Sequence, residues 1–150
     1  DYLSWVFGSI KWVKSHVSKQ SALDIDVEDS ANVILGFNGA GESELIASLN
    51  IDFVRHDNTR RCLVIGEKGT LLWDGITGKV EYFAKGANDW ITTFISRPEA
   101  DYTYEEEIKH FFSSIESKKL PHISGDDGLY AVSIVEAIKK SSNNDSKVYL

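Results

Sequence analysis

The chain has a single cysteine, Cys62, so no disulfide can close within it, and a lone thiol suits a reducing compartment such as the cytoplasm. Basic side chains are outnumbered, 16 against 23, for a net charge of −7. That balance argues against a nucleic-acid partner, whose phosphates call for a basic surface. No apolar run approaches the roughly 20 residues needed to span a bilayer, and no signal-peptide pattern opens the chain, so no membrane partner is expected. The four histidines, His16, His56, His110 and His122, are widely separated and no Cys or His-x-x-x-His pair joins them, so no metal centre is expected. A Gly-x-Ser-x-Gly elbow and a P-loop are missing too. Methionine is absent, and the chain opens at Asp1 with DYLSWVFG, which reads as the last turns of a helix ending in a Gly stop. Proteins rarely begin in mid-helix, so the sequence reads as a fragment without its N-terminal part.

What is present is the composition of a globule. At 150 residues, 42% of them hydrophobic, the chain is long enough to bury a core as a single domain, residues 1–150. Alternation predicts a strand from Ile10 to Lys19, with Val13 and Val17 opposed to Lys14 and His16. The acidic stretch SALDIDVED reads as a crossover loop and, lacking ligand spacing, as solvated rather than cation-binding. Strands follow over Ser30–Asn38 and Ser43–Arg55, joined by a turn at Gly39-Ala40-Gly41. A meander is expected over Arg61–Ile65, Thr70–Trp73 and Lys79–Phe83, with residues 84–101 as a loop that carries one short strand. Gly66-Glu67-Lys68-Gly69 sits between strands and reads as a hairpin turn rather than a phosphate cradle. Helical periodicity marks Thr103–Ser117 and Asp126–Lys140, the second capped by Ser124 or Asp126, and Lys147–Leu150 returns to the sheet. The expected class is α+β: a large, mainly antiparallel (mixed) sheet with helices on one face. Phe111, Phe112, Ile134 and Val135 are expected to bury against Leu45, Leu49 and Phe53. The other face, with Trp12, His16, Ile34, Ser48, Asn50 and Asp52, stays open for subunit contact and the active site.

One cluster stands out in this acidic chain. Over Asp52-Phe53-Val54-Arg55-His56-Asp57-Asn58-Thr59-Arg60-Arg61, three arginines and a histidine gather at a strand end and its turn. Such a focus can hold a carboxylate or phosphate, or its arginines can pair with Asp52, Asp57 or Asp74. Cys62, within a β run, reads as a buried inert thiol.

In order, the chain carries DYLSWVFG, DIDVED, ASLNIDFVRHDNTRRCLVIGEKGTLLWD, YEEEIKHF, DDGLYAVSIVEAIKKSS and KVYL. This resembles the C-terminal domain of the Gfo/Idh/MocA oxidoreductases, notably members found with surface-sugar biosynthesis. The family pattern reads Leu-Asp-Tyr-x-Gln-Arg, then Arg, then Ile-Gly-x-x-Gly-Thr-x-x-Trp-Asp. Asp52 falls on its Asp, Phe53 on its Tyr and Arg60 on its later Arg, while Arg55 and His56 stand where the pattern has Gln-Arg. The resemblance implies the substrate-binding and oligomerising half of an NAD(P)-dependent dehydrogenase of a sugar or nucleotide sugar. Substrate contacts are then expected at Asp52, Arg55, His56 and Arg60. The catalytic histidine and the Rossmann domain that takes NAD or NADP are expected upstream of Asp1, so this fragment alone is expected to be inactive. A homodimer or homotetramer through the open sheet face is implied as well.

Two other readings compete. One is a non-catalytic α+β ligand-binding or dimerisation module, since one fold hosts many functions. The other is a small enzyme using His56 with Asp52 or Asp57 as an acid–base pair, which lacks a nucleophile and oxyanion donors to go with it.

Overall fold

The computed structural model describes residues 2–39, 43–96 and 101–150. In chain order its elements are α1 (Tyr2–Phe7), β1 (Ile10–Ser18), β2 (Ser30–Asn38), β3 (Glu44–Asp52), β4 (Arg61–Gly66), β5 (Gly69–Asp74), β6 (Lys79–Ala84), β7 (Ile91–Ile95), α2 (Tyr102–Ser117), α3 (Gly125–Asn144) and β8 (Val148–Tyr149). The class is α+β, and every strand pairing is antiparallel. The strands divide between two four-stranded sheets, ordered β3-β2-β1-β8 and β4-β5-β6-β7, where the sequence reading has one. The reason lies after Asp52: the chain turns away from β3, and β4 pairs with β5, its neighbour across a tight turn. The contacts accordingly group into two compact units, Asp1–Arg55 with His122–Leu150, and His56–Pro121.

In the first unit, alternation sends Val13, Val33, Leu35 and Phe37 to one face, where all are buried. Helix α3 lies along β1 and buries Ile134, Ala137 and Ser141, at spacings of three and four. Strand β8 pairs with only Trp12 and Val13, leaving the rest of that edge of β1 without a strand partner. Serines of α3 satisfy it: Ser15 N–H donates to Ser141 Oγ (3.1 Å) and Val17 N–H to Ser142 Oγ (2.8 Å). The helix begins at a capping box in which Ser124 and Asp127 bond each other's backbone N–H, and the Ser124 hydroxyl holds the Asp127 carboxyl below its usual range. It runs one turn beyond the expected Lys140. There Asp145 takes the left-handed conformation and pairs with Lys14 (2.5 Å).

The acidic stretch is not a crossover. Strands β1 and β2 are adjacent and antiparallel, so residues 19–29 form a long hairpin loop. Buried Asp29 closes it, accepting from the Ser21 hydroxyl and from the backbone N–H groups of Gln20 and Ser21, which hold its carboxyl below the ordinary value. The turn expected at Gly39-Ala40-Gly41 falls partly outside the described residues.

The second unit is a meander of hairpins. Gly69, with φ of 156°, lies so close to β6 that a Cβ would come within 2.4 Å of the Phe83 carbonyl oxygen. Residues 91–95, in the stretch read as a loop with one short strand, form β7 on β6. Four of the residues expected to be buried are instead exposed: Phe53, Phe111, Phe112 and Val135. Phe53 follows the last residue of β3, where alternation no longer governs. Val135 sits one position off the buried stripe of α3. The apolar stripe of α2 identifies a face but not what covers it, and only Ser114 of that helix is buried.

Candidate functional site

The open face of the first sheet carries the even-numbered residues. Register sets His16, Asn32 and Asn50 side by side across three strands, with Ser18, Ser30 and Asp52 in the next rung. Asn50 Nδ2 donates to Asn32 Oδ1 (2.7 Å), a cross-strand amide pair. Beyond it lies a polar depression of about 370 Å³ bordered by Gln20, Ser30, Asn32, Asn50, Asp52 and Arg55. A second depression of about 730 Å³ shares Asn32 and Asn50 and continues along the face past Ser48, His16 and Lys14. Amides and hydroxyls supply both donors and acceptors, the chemistry that meets a polyhydroxylated ligand.

Asp52 is committed locally: its Oδ1 accepts the backbone N–H of Val54 (3.1 Å) and of Arg55 (2.7 Å). Strand β3 and this turn therefore bring Asp52 and Arg55 together. Trp12, expected as an exposed apolar element of the open face, is buried there instead. Its Nε1 donates to Glu44 Oε1 (2.5 Å) and Lys147 Nζ lies 3.6 Å from its ring centroid.

His56 and Arg60 belong to the second unit, and both are exposed. The Arg60 guanidinium lies 5.6 Å from the Trp73 ring centroid, and its carbonyl accepts the Gly75 N–H (2.7 Å). The ion pair foreseen for this cluster is made by Arg61, whose Nε donates to Asp74 Oδ2 (2.9 Å). Asp74 also accepts the N–H groups of Thr77 and Ile76, and the Thr77 bond, followed by Arg61 and Ile76, lowers its pKa to about 2 against the cost of burial. Cys62 is half-buried. Among the described residues no three His, Cys, Asp or Glu side chains gather to hold a metal, and no helix is long and apolar enough to cross a membrane.

Sequence reasoning missed Gln20, Ser30 and Asn32 as lining residues. The signal for Asn32 was its place two residues from Ile34, which puts both on the open face; Gln20 is brought in by the Asp29 loop closure, which leaves no periodic trace.

Residues 1–150 match the family model GFO_IDH_MocA_C, described as the oxidoreductase family, C-terminal alpha/beta domain. No curated protein matches the chain in sequence. Among solved structures, the chain is similar to a levoglucosan dehydrogenase in complex with NADH, with TM-score 0.82 and 20% identity over 99% of this chain and 47% of that one. It also resembles an aldose-aldose oxidoreductase from Caulobacter crescentus complexed with glycerol (0.75, 22%, covering 95% and 42%). A third is the WlbA dehydrogenase from Bordetella pertussis in complex with NADH and UDP-GlcNAcA (0.69, 19%, covering 99% and 41%). The chain thus spans less than half the length of each of these.

Proposed function

Because the chain belongs to the Gfo/Idh/MocA oxidoreductase family, as its C-terminal alpha/beta domain, we propose that it is the substrate-side and oligomerising part of an NAD(P)-dependent dehydrogenase acting on a hydroxyl of a sugar or nucleotide sugar. The observation that carries this reading is the whole-chain family match, together with the amide- and hydroxyl-lined depression at the end of β3. Similar structures that hold glycerol or UDP-GlcNAcA support a polyhydroxylated substrate. Arg55, His56 and Arg60 are the residues assigned to the substrate and its anionic group.

The residues present do not fit a nicotinamide cofactor. Binding one calls for a parallel βαβ unit with a glycine-rich turn before a helix. Here the described strands pair antiparallel; the Gly-x-x-Gly turns Gly66–Gly69 and Gly75–Gly78 join antiparallel neighbours, and Gly125–Gly128 opens α3 after α2 rather than after a parallel strand. NAD or NADP and the catalytic residues are therefore assigned to another domain of a longer protein, and the chain on its own is expected to transfer no hydride. A cytoplasmic location belongs to the same proposal, on the strength of the lone Cys62.

A homodimer or homotetramer through the open sheet face completes the reading. With Trp12 buried, its apolar support comes from Ile34 and Ile46, exposed by 42% and 49% on that face.

The test is nicotinamide reduction, followed by absorbance, with the full-length protein and a panel of aldoses, sugar acids and nucleotide sugars. Turnover by the full-length protein and none by residues 1–150 alone is the expected result. A folded full-length protein that reduces neither NAD nor NADP with any of the panel sinks the reading.

A further inference from the structure

We propose that Asp52 is a positioning residue: its carboxylate fixes the backbone that presents Arg55 to an anionic group of the sugar. This rests on the functional reading above. One oxygen, Oδ1, accepts two consecutive backbone N–H groups, those of Val54 and Arg55. A side chain that closes such a turn replaces a loop's freedom with a defined exit from the strand. The strand end is itself held. Asp52 is the last β3 residue paired to β2, opposite Ser30, and the next residue, Phe53, donates its N–H to the Asp29 carbonyl (2.9 Å). Asp29 is only 2% exposed and is pinned through its own carboxylate by Gln20 and Ser21. Arg55 therefore leaves from a fixed point.

Where it leaves to gives the turn its purpose. Arg55 is the cation among the residues bordering the depression, which Gln20, Ser30, Asn32, Asn50 and Asp52 itself also line. Amides and a hydroxyl suit sugar hydroxyls, and a guanidinium suits a carboxylate or phosphate. The substrate class is thus an anionic sugar, a sugar acid or a nucleotide sugar. The bonds to Val54 and Arg55 need an acceptor oxygen at position 52 but no charge, so asparagine can make them and alanine cannot.

The experiment uses the full-length enzyme with its nicotinamide cofactor and three probes: D-glucose, D-glucuronate and UDP-glucuronate. KM and kcat are measured for wild type, Asp52→Ala, Asp52→Asn and Arg55→Ala. Arg55→Ala and Asp52→Ala should each raise KM for the acidic probes by about tenfold or more, the usual size for losing or misplacing a charged contact. Asp52→Asn should recover most of that loss. If Asp52→Ala does not fold, Asp52→Ser, which retains an acceptor oxygen on a shorter arm, takes its place and should fall between the two. An Asp52→Asn enzyme as impaired as Asp52→Ala overturns the proposal, because charge and not the turn is then what matters. An unchanged KM in Arg55→Ala overturns it as well, and so does a wild-type enzyme that oxidises D-glucose but neither acid, although the broader reading survives both results. A wild-type enzyme that oxidises none of the three counts against that reading itself.

Discussion

The indole of Trp12 occupies the space a side chain at Gly36 would need: a Cβ there would lie 2.2 Å from both Cε2 and Nε1 of the ring. The two residues are cross-strand partners in β1 and β2, and only glycine lets the indole lie on the sheet between Glu44 and Lys147. Gly36→Ala should expel the ring and cost about 1–3 kcal/mol, the usual range for overpacking. Denaturant unfolding gives the size of the loss, and Trp12→Phe in the same background should reduce it.

A pH dependence follows from Asp74. Its folded pKa, about 2, lies below the ordinary 3.8 because Thr77, Arg61 and Ile76 bond the ionised form. The contribution is therefore complete above pH 3.8 and fades as pH falls from there toward 2. Asp74→Ala should lower Tm at neutral pH. The gap between variant and wild type should narrow between about pH 4 and pH 2, where Asp74 takes up its proton in the unfolded chain while still ionised in the folded one. A gap that does not change with pH would refute this assignment.

Arg60 and Arg61 should separate cleanly. Arg61 is tied to Asp74, so Arg61→Ala should lower Tm and leave KM near wild type. Arg60 is itself exposed and lies over the half-buried Trp73 ring, an interaction of about 0.5–1 kcal/mol at an exposed cation, so Arg60→Ala should barely move Tm. Under the proposed function it should raise KM in the full-length enzyme. Calorimetry and kinetics on the same two variants decide, and a fall in Tm without a kinetic effect for Arg60→Ala would remove it from the substrate site.

Ser124→Ala removes the half of the capping box in which the hydroxyl accepts the Asp127 N–H, and with it the hydroxyl's own bond to the Asp127 carboxylate, leaving the bond from the backbone N–H of residue 124. The expected loss is about 1 kcal/mol, measured by chemical denaturation. An aspartate cap would preserve most of that stability, so Ser124→Asp serves as the control.

For self-association, Ile34→Asp with Ile46→Asp should shift sedimentation of the protein toward monomer without lowering Tm. An unchanged sedimentation profile would place any subunit contact elsewhere.

The elements themselves were legible because each carries its own period: alternation in β1 to β6, and the three-four spacing in α3. Their partners were less so. Asp52 and the open face could be placed from β3 alone, but Arg55, read as the end of that strand, lies in the turn after it, and the division into two sheets depends on which edge β4 chooses. That choice is made by the short β4–β5 turn and by the Asp52 turn, neither of which alters hydrophobic periodicity. Likewise, the sequence offers three neighbouring arginines and several nearby carboxylates. Only the register that sets Arg61 opposite Asp74 selects the pair. Trp12 was read as exposed because an even-numbered position on an open face is normally wet; the bare backbone of the glycine across from it, which lets the ring lie flat, reversed that.

The serines of α3 give the first sheet a direction of growth. At β1 the backbone donors of Ser15 and Val17 are already spent on Ser141 and Ser142, and the two-residue β8 offers little template beyond them. A strand arriving from another polypeptide would find its hydrogen bonds at β3, which has no described neighbour on its outer side. Misassembly through this first sheet should therefore be one-ended, seeded along Glu44–Asp52, and a proline or lysine introduced there is the economical way to block that route.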